Sequence, residues 1–115
     1  AIADGVADVI NVKLARVGGI SPARTMTDLC ARHGIPVIVQ CVGGSELSSA
    51  AIAHLASTIP NEQLMSVWDG TQMLGTRTGA GHHHDAVSMW PSTEPGLGIE
   101  PDPARLGQPI LTHRV

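Results

Sequence analysis

The fold of this chain is decided by residues 8–20, which read DVINVKLARVGGI. In a strand at residues 9–14, side-chain alternation makes one face wholly aliphatic and ends the other face in two polar side chains, Asn11 and Lys13. A strand with one face in water shows polar residues along its whole length. A parallel strand under helices is apolar except at its C-terminal end, where functional groups lie. The pattern therefore predicts a parallel strand with Lys13 at the functional edge of the sheet.

Composition places the chain among globular domains, since 43% of its 115 residues are hydrophobic and 15% are charged. It has no Phe and no Tyr, so its core must be aliphatic and small for this length. The sequence also enters structured segments directly at Ala1, without an initiator Met. We therefore expect a part of a larger structure.

The net charge and the two cysteines indicate which kinds of partner and which cellular compartment to expect. A net charge of −3 with seven scattered basic residues predicts neither a nucleic-acid partner nor a membrane-surface partner. Cys30 and Cys41 lack metal-type spacing and are expected to be buried, reduced thiols of a cytoplasmic protein, with a disulfide as the alternative. No apolar run approaches the roughly 20 residues of a membrane-spanning helix, and no signal peptide is evident.

Turn and cap signals divide the first half into strand, helix and strand. Residues 18–19 are a glycine turn, and Ser21 as N-cap with Pro22 at the first helical position predicts a helix. Gly34 is suited to the left-handed conformation that ends helices. The β-rich run at residues 35–39 then predicts a second strand. Its proline, Pro36, lies at the start of the strand, where a missing N–H costs the ladder least.

A second helix and a third strand complete a β-α-β-α-β order. The helix is expected after a cap at Ser45 and to end near Ser57, and the strand at residues 64–68 leads into a turn at residues 69–70. Crossovers are right-handed by default, so the fold class is α/β with parallel strands. Three parallel strands cannot close a barrel, so further strands must come from elsewhere.

The glycine- and proline-rich remainder is expected to be a tail. We predict residues 1–70 as one part of the chain and residues 71–115 as a loop-rich segment that wraps around it. Within the tail, a short helix is expected at residues 103–106 and a strand edge at residues 108–111.

The motif order resembles the C-terminal part of the enolase superfamily, in its mandelate racemase and muconate lactonizing enzyme branch. The resemblance rests on ADVINVKL at residues 7–14, GGI at 18–20, GIPV at 34–37 and PGLGI at 95–99. It implies that the three strands are the last three of a TIM-like (β/α) barrel. It also implies that the tail returns to a capping domain.

A narrower likeness is to the hydroxyproline betaine and proline betaine epimerases and the cis-3-hydroxyproline dehydratases. This likeness rests on residues 43–44, 50–56, 95–98 and 106–109. The chain departs from that group at Gln40, Val42 and Ser45, where its members usually have an acidic residue, a Trp and an Asp. The exact substrate is therefore left open.

By this resemblance Lys13 is the catalytic residue, a general base or acid acting on a carbon next to a carboxylate. Proton removal there creates a dianionic enolate, which a divalent metal stabilises. The resemblance implies Mg²⁺, with its carboxylate ligands and a second lysine outside these residues, so no metal ligand is assigned here. The alternative for Lys13 is a side chain that reaches solvent from a strand end. Alone, the 115 residues are expected to be inactive.

Four further residues are predicted to bind substrate. The resemblance places Trp68 and Asp69 facing the substrate, and Gln40 and Cys41 lie near the end of the second strand. The Trp68 indole suits a quaternary ammonium through a cation–π interaction, or else packs the barrel rim. The histidine tract at residues 82–84 is either a metal-binding tract or a solvated or lid-like loop, and its role stays open.

The leading interpretation is the C-terminal segment of a metal-dependent racemase or epimerase acting on a small carboxylate derived from an amino acid or betaine. The alternatives are a dehydratase using the same enolate, or a non-catalytic split or truncated barrel partner. A small flavodoxin-like binding domain has too few strands and no phosphate loop here. The expected partners are the substrate, the rest of the barrel and the capping domain, and a further copy of the full enzyme. The sequence leaves the oligomeric state open.

Overall fold

The computed structural model of the chain describes residues 2–81 and 83–113. A three-stranded sheet and the helices on it occupy the first part. In chain order these elements are β1 (Ile10–Lys13), α1 (Leu14–Val17), α2 (Ile20–Arg32), β2 (Val37–Gln40), α3 (Glu46–Ala56) and β3 (Leu64–Trp68).

The three strands are parallel, and β2 lies between β1 and β3. Lys13 is opposite Gln40, and Gln40 is opposite Trp68, so the three strands end in one row. The predicted α/β class and the parallel β-α-β-α-β order are confirmed. The alternation predicted for the first strand is confirmed as well, because Val12 is fully buried while Asn11 is exposed.

The core lies between the sheet and helices α2 and α3. Val12 and Val39 of the sheet, Cys30 of α2, and Ile52 and Leu55 of α3 are all at most 2% exposed. Full burial of a Val, Leu or Ile side chain contributes about 1.5–3 kcal/mol. The core is therefore built from small aliphatic residues, as the absence of Phe and Tyr requires.

The first helical segment differs from its prediction in three places. The chain leaves the strand at Lys13, and Leu14 begins the one-turn helix α1 instead of ending the strand. Helix α2 then begins at Ile20 with Gly19 as its N-cap, so the predicted cap at Ser21 is wrong. The reason is that Gly19 has a φ of 110°, which lets the chain enter the helix earlier. Pro22 is consequently the third helical residue, where an N–H still has no intrahelical partner.

The second strand begins two residues later than predicted, because of the hydrogen bonding at the end of α2. Gly34 has the predicted positive φ, 66°, and the N–H of Ile35 donates to the carbonyl of Cys30 at 3.0 Å. Because this bond holds Ile35 against the helix end, β2 starts at Val37 and not at residue 35. Pro36 lies just before the strand, and its carbonyl accepts the N–H of Ile10.

Helix α3 is buried on more than one face. Ser45 is its N-cap, as predicted, although the Ser45 side chain makes no capping hydrogen bond. Eight of its residues are buried, including Ile52 and Leu55, because the helix contacts both the sheet and strands of the tail.

The tail contains two small antiparallel ribbons and a short helix. Its elements are the 3-10 helix Thr71–Met73, β4 (Gly79–Ala80) paired with β7 (Glu100–Pro101), β5 (His83–His84) paired with β6 (Met89–Trp90), and α4 (Pro103–Leu106). The short helix at residues 103–106 is confirmed, and the Asp102 side chain caps it. The strand edge predicted at residues 108–111 is wrong. Pro109 has no N–H for a ladder, and Ile110 and Leu111 are exposed rather than packed on a sheet.

A buried carboxylate fastens the tail to α3. One oxygen of Glu46, a residue only 1% exposed, accepts the backbone N–H of Thr78 at 2.8 Å and its hydroxyl at 2.7 Å. Burial alone would raise the pKa of Glu46. The Thr78 hydrogen bonds, together with the positive charge of Arg77, outweigh burial and hold this pKa below its ordinary value of 4.5.

Two further features concern the cysteines and the length of the helices. Cys30 and Cys41 are buried free thiols. In the part of the chain that the structure describes, no helix combines the length and the apolar character needed to cross a membrane.

The Glu46–Thr78 contact predicts a pH-dependent loss of stability. Glu46→Gln in the full-length protein keeps an acceptor oxygen but removes the charge, so we expect the free energy of unfolding to fall by about 1–2 kcal/mol at neutral pH. A lowered native pKa stabilises the fold above the ordinary pKa, and this contribution is lost as the pH falls through the native value. The difference between wild type and Glu46→Gln should therefore shrink below pH 4.5.

Denaturant titrations at several pH values measure this difference. Glu62→Gln, at an exposed glutamate, is the matched control and should leave the unfolding free energy unchanged. An equal loss in both variants, or a difference that does not depend on pH, would contradict the assignment.

Candidate active site

Three predicted site residues lie side by side at the C-terminal edge of the sheet. Lys13, Gln40 and Trp68 are the last residues of β1, β2 and β3 and are in register with one another. Adjacent strands are about 4.8 Å apart. Since Val12 and Val39 point to the helices, alternation puts these three side chains on the opposite face. The structure thus joins residues that are up to 55 positions apart in the sequence.

Lys13 carries an available ammonium group. Its residue is partly buried, and within residues 2–81 and 83–113 no hydrogen bond or ion pair engages the side chain. A structural lysine is normally paired or extended into solvent. An unpaired amine at a strand end is free to accept or donate a proton to a bound molecule.

Gln40 has a hydrogen-bond partner on the neighbouring strand. The side-chain amide of Asn11 donates to Oε1 of Gln40 at 2.9 Å. Alternation had already placed Asn11 on the same strand face as Lys13, two residues before it. What the sequence lacked was the register that brings β2 against it.

Asp69 has its carboxylate engaged by neighbouring residues. It accepts a short hydrogen bond from the hydroxyl of fully buried Ser49 on α3, the N–H of Thr71 at 2.9 Å and the hydroxyl of Thr71 at 2.7 Å. These bonds attach the segment after β3 to α3. Contact of Asp69 with substrate stays a prediction, and the structure adds an anchoring role that the sequence did not suggest.

Cys41 brings the loop after β2 against the loop after β3. Its thiol is buried, and Sγ accepts the N–H of Gly70 at 3.1 Å. A methyl group on Gly70 would lie 3.1 Å from Cζ3 of Trp68 and 3.2 Å from Sγ of Cys41. A side chain at residue 70 would therefore force the Trp68 indole or the Cys41 thiol to shift by a few tenths of an ångström.

The tail forms a wall beside Trp68. A cleft of about 400 Å³ lies between the end of β3 and the ribbon of β5 and β6, and Trp68, Gln72 and Ser88 are among its lining residues. Asp85, also in the lining, accepts N–H groups from Val87 and Ser88, and these bonds hold the pKa of its carboxyl below the ordinary value.

The described residues do not supply a metal centre. Among them, no group of three or more His, Cys, Asp or Glu side chains is arranged to hold a metal ion. His82 lies outside the described residues, while His83 and His84 form β5, and Nε2 of His84 is 3.3 Å from Nη2 of Arg77. The histidine tract as a metal site stays a prediction.

The chain is similar in sequence to a known protein family and to curated enzymes. Residues 1–105 match the family model described as "Enolase C-terminal domain-like". The chain is 40% identical over 114 residues to the cis-3-hydroxy-L-proline dehydratase of Roseibium aggregatum, covering 97% of this chain and 31% of that protein. It is 34% identical over 120 residues to an N-succinylamino acid racemase from Amycolatopsis, covering 100% of this chain and 31% of that protein. The chain thus spans about a third of the length of these curated relatives.

Solved structures show the same fold. A mandelate racemase/muconate lactonizing enzyme from Roseovarius nubinhibens superposes with a TM-score of 0.89 at 33% identity, over 96% of this chain and 30% of that one. Another such protein from the same organism, complexed with magnesium, has a TM-score of 0.90 at 29% identity, over 96% of this chain and 31% of that one.

The close approach at Gly70 generates a test of the site's packing. We expect Gly70→Ala to displace the Trp68 indole or the Cys41 thiol and to lower the unfolding free energy by about 1–3 kcal/mol, the usual cost of overpacking. Unfolding titrations and Trp68 fluorescence in a Trp90→Phe background measure both effects.

Gly75→Ala is the matched control, because a methyl group there meets nothing within 4 Å and the backbone is not left-handed. It should leave both the stability and the fluorescence unchanged. Equal behaviour of the two variants would count against close packing at Gly70.

Proposed function

Because this chain belongs to the enolase C-terminal domain-like family, in the mandelate racemase and muconate lactonizing enzyme branch of the enolase superfamily, we propose that it forms the C-terminal segment of an enzyme that removes the proton α to a carboxylate. The predicted superfamily, branch, and likeness to dehydratases of cis-3-hydroxyproline and to epimerases are confirmed. In the proposal, β1, β2 and β3 are the last three strands of a TIM-like barrel. The tail, residues 71–115, packs on that barrel and on a capping domain.

The observation that carries the proposal is the unpaired Lys13 ammonium group in one row with Gln40 and Trp68. An amine in its neutral form accepts the α-proton, and the electrons of the broken C–H bond move into the enolate. The resulting ammonium then serves as a proton donor. Gln40 lies beside the amine and Trp68 beyond Gln40 in the same row, and both would orient a small carboxylate substrate derived from an amino acid or betaine.

The same enolate can react in two ways. In racemisation or epimerisation, our first candidate, a proton returns to the opposite face of the carbon, which requires a second proton carrier there. In dehydration, the C–O bond of a neighbouring hydroxyl breaks and the hydroxyl leaves as water with a donated proton. The relative at 40% identity is a dehydratase, and the one at 34% identity is a racemase. Dehydration is therefore the second candidate.

A divalent cation would neutralise the charge that develops on the enolate, and a similar solved structure is complexed with magnesium. The described residues of this chain offer no cluster of metal ligands. In the complete enzyme, residues outside this segment would hold Mg²⁺, and Lys13 would act on the α-proton alone.

Replacement of Lys13 tests the proposal directly. In the full-length protein, we expect Lys13→Ala to slow deuterium incorporation from D₂O at the α-carbon by about 10²–10⁴-fold, the usual contribution of a positioned acid–base residue. The substrate panel is cis-3-hydroxy-L-proline, N-succinylamino acids and proline betaine, followed by NMR and mass spectrometry. Unchanged substrate mass with exchange indicates epimerisation, and loss of water indicates dehydration.

Arg16→Ala, a nearby exposed cation, is the control and should exchange at the wild-type rate. Exchange that persists in Lys13→Ala would remove Lys13 from the chemistry. Absence of exchange in the wild type with every panel member would favour the non-catalytic barrel partner.

Trp68 tests whether the substrate carries a quaternary ammonium. A cation–π interaction is worth about 0.5–2 kcal/mol, so Trp68→Ala should weaken binding of proline betaine relative to proline by about 2- to 30-fold. Calorimetric titration of the full-length protein with both compounds measures the ratio. Trp90→Ala, at the other tryptophan, should leave the ratio unchanged, and equal losses for both ligands in Trp68→Ala would indicate a packing role.

A further inference from the structure

The turn that follows β3 is closed by the side chain of Asp69. Its Oδ1 accepts the hydroxyl of Ser49 at 2.5 Å and the N–H of Thr71 at 2.9 Å, and its Oδ2 accepts the hydroxyl of Thr71 at 2.7 Å. The bonds to Thr71 shape the turn locally, since an Asp side chain often bonds the N–H two residues on. The bond from Ser49 spans 20 positions and comes from α3, where this residue is fully buried. Both carboxylate oxygens are therefore engaged by the protein itself.

Gly70 gives the same turn a second attachment. This residue is buried, and its N–H donates to Sγ of Cys41, in the loop after β2, at 3.1 Å. The turn is thus tied to α3 on one side and to the end of the neighbouring strand on the other. Attachments at two consecutive residues restrict both the position and the orientation of the peptide unit between Asp69 and Gly70.

The indole of Trp68 packs against this turn. A methyl group on Gly70 would lie 3.1 Å from Cζ3 of Trp68, closer than an ordinary van der Waals contact, so the ring edge lies directly over the glycine. Trp68 is 41% exposed, and it lines the cleft of about 400 Å³ beside β3. One edge of the indole is therefore supported by the turn, while another part of the ring is open to a ligand.

We propose that Ser49 and Asp69 are positioning residues, which hold the turn at Gly70 and thereby set the place of the Trp68 indole. Asp69 acts through this contact and does not bind the substrate, which differs from the role predicted from the sequence. The inference rests on the proposed function, because it takes Trp68 to face the substrate. Since a cation is attracted to the face of an aromatic ring within about 6 Å of the ring centre, an indole that shifts or tilts loses part of that attraction.

Asp69→Asn separates positioning from direct recognition of a cationic substrate. A carboxylate that binds a cation acts through its charge, whereas one that holds a turn acts through its acceptor oxygens. Asparagine keeps Oδ1 as the acceptor for Ser49 and for the N–H of Thr71. Its Nδ2 donates to the hydroxyl of Thr71, which accepts as well as donates. Asp69→Ala removes the charge and the acceptors together.

The indole Nε1–H resonance of Trp68 reports on the ring without any ligand. It is assigned in ¹⁵N–¹H spectra of the full-length protein by its loss in Trp68→Phe. We expect it to move in Ser49→Ala and in Asp69→Ala, because each substitution releases the turn from α3, and to move far less in Asp69→Asn. Ser48→Ala makes the same substitution at the preceding, only partly buried residue of α3 and should leave the resonance in place. A resonance that moves in neither Ser49→Ala nor Asp69→Ala would overturn the inference.

Binding of proline betaine, a quaternary ammonium compound, tests the consequence for a ligand. In calorimetric titrations of the full-length protein, Ser49→Ala and Asp69→Ala should weaken binding by about 2- to 30-fold, the range that a cation–π contact spans. Asp69→Asn should bind nearly as tightly as the wild type, since a charge that does not touch the ligand is screened. Equal losses in Asp69→Asn and Asp69→Ala would assign Asp69 to direct charge recognition and contradict the positioning role.

A double substitution separates positioning from a general loss of stability. In a Trp68→Ala background no indole remains to be positioned, so Ser49→Ala should cause no further loss of affinity for proline betaine. An undiminished loss in that background would show that Ser49 does not act through Trp68. If proline betaine does not bind, the order of the resonance shifts decides alone. Failure of the proposed function is seen separately, as α-proton exchange that does not depend on Lys13.

Discussion

The parallel register of three short strands is the constraint on which the rest of this structure depends. Hydrogen bonding in the order β1-β2-β3 brings Lys13, Gln40 and Trp68 into one row. The same register places Val12 against Val39 beneath the helices. Each strand therefore serves the core with one set of side chains and the site with the next.

Because the hydrophobic core is small, side-chain hydrogen bonds also hold the loops and the tail in place. Glu46 fastens the tail through Thr78, and Asp69 fastens the end of β3 to α3 through Ser49. Cys41 accepts the N–H of Gly70 between two loops. Each of these groups is buried or partly buried, where a hydrogen bond lost to substitution leaves an unsatisfied partner and costs more than the bond itself contributes. The edge of the sheet that carries the candidate site is thus held by polar contacts on the helix side and on the loop side.

Local pattern was sufficient for most of the elements. Hydrophobic alternation and glycine turns predicted the strands and their parallel arrangement, because each of these signals lies within about ten residues. The superfamily followed instead from the order of short motifs between residues 7 and 99. The helix start at Ile20 was misjudged because Gly19 at positive φ replaced a serine cap. The strand edge at residues 108–111 was wrong because apolar residues near Pro109 found no partner strand and remain exposed.

The contacts that sequence could not supply are the long-range polar ones. Asn11 and Gln40 are 29 positions apart, and Glu46 and Thr78 are 32 apart, so no periodicity links either pair. Such contacts join side chains of separate elements, and they form only once the strands and helices are packed. A slip of one residue in β1 would move Lys13 to the core face and Val12 to the site face, and would separate Asn11 from Gln40 at the same time. Burial of Val12 against Val39 therefore maintains the row of candidate site residues as well as the stability of the sheet, because the same register determines both.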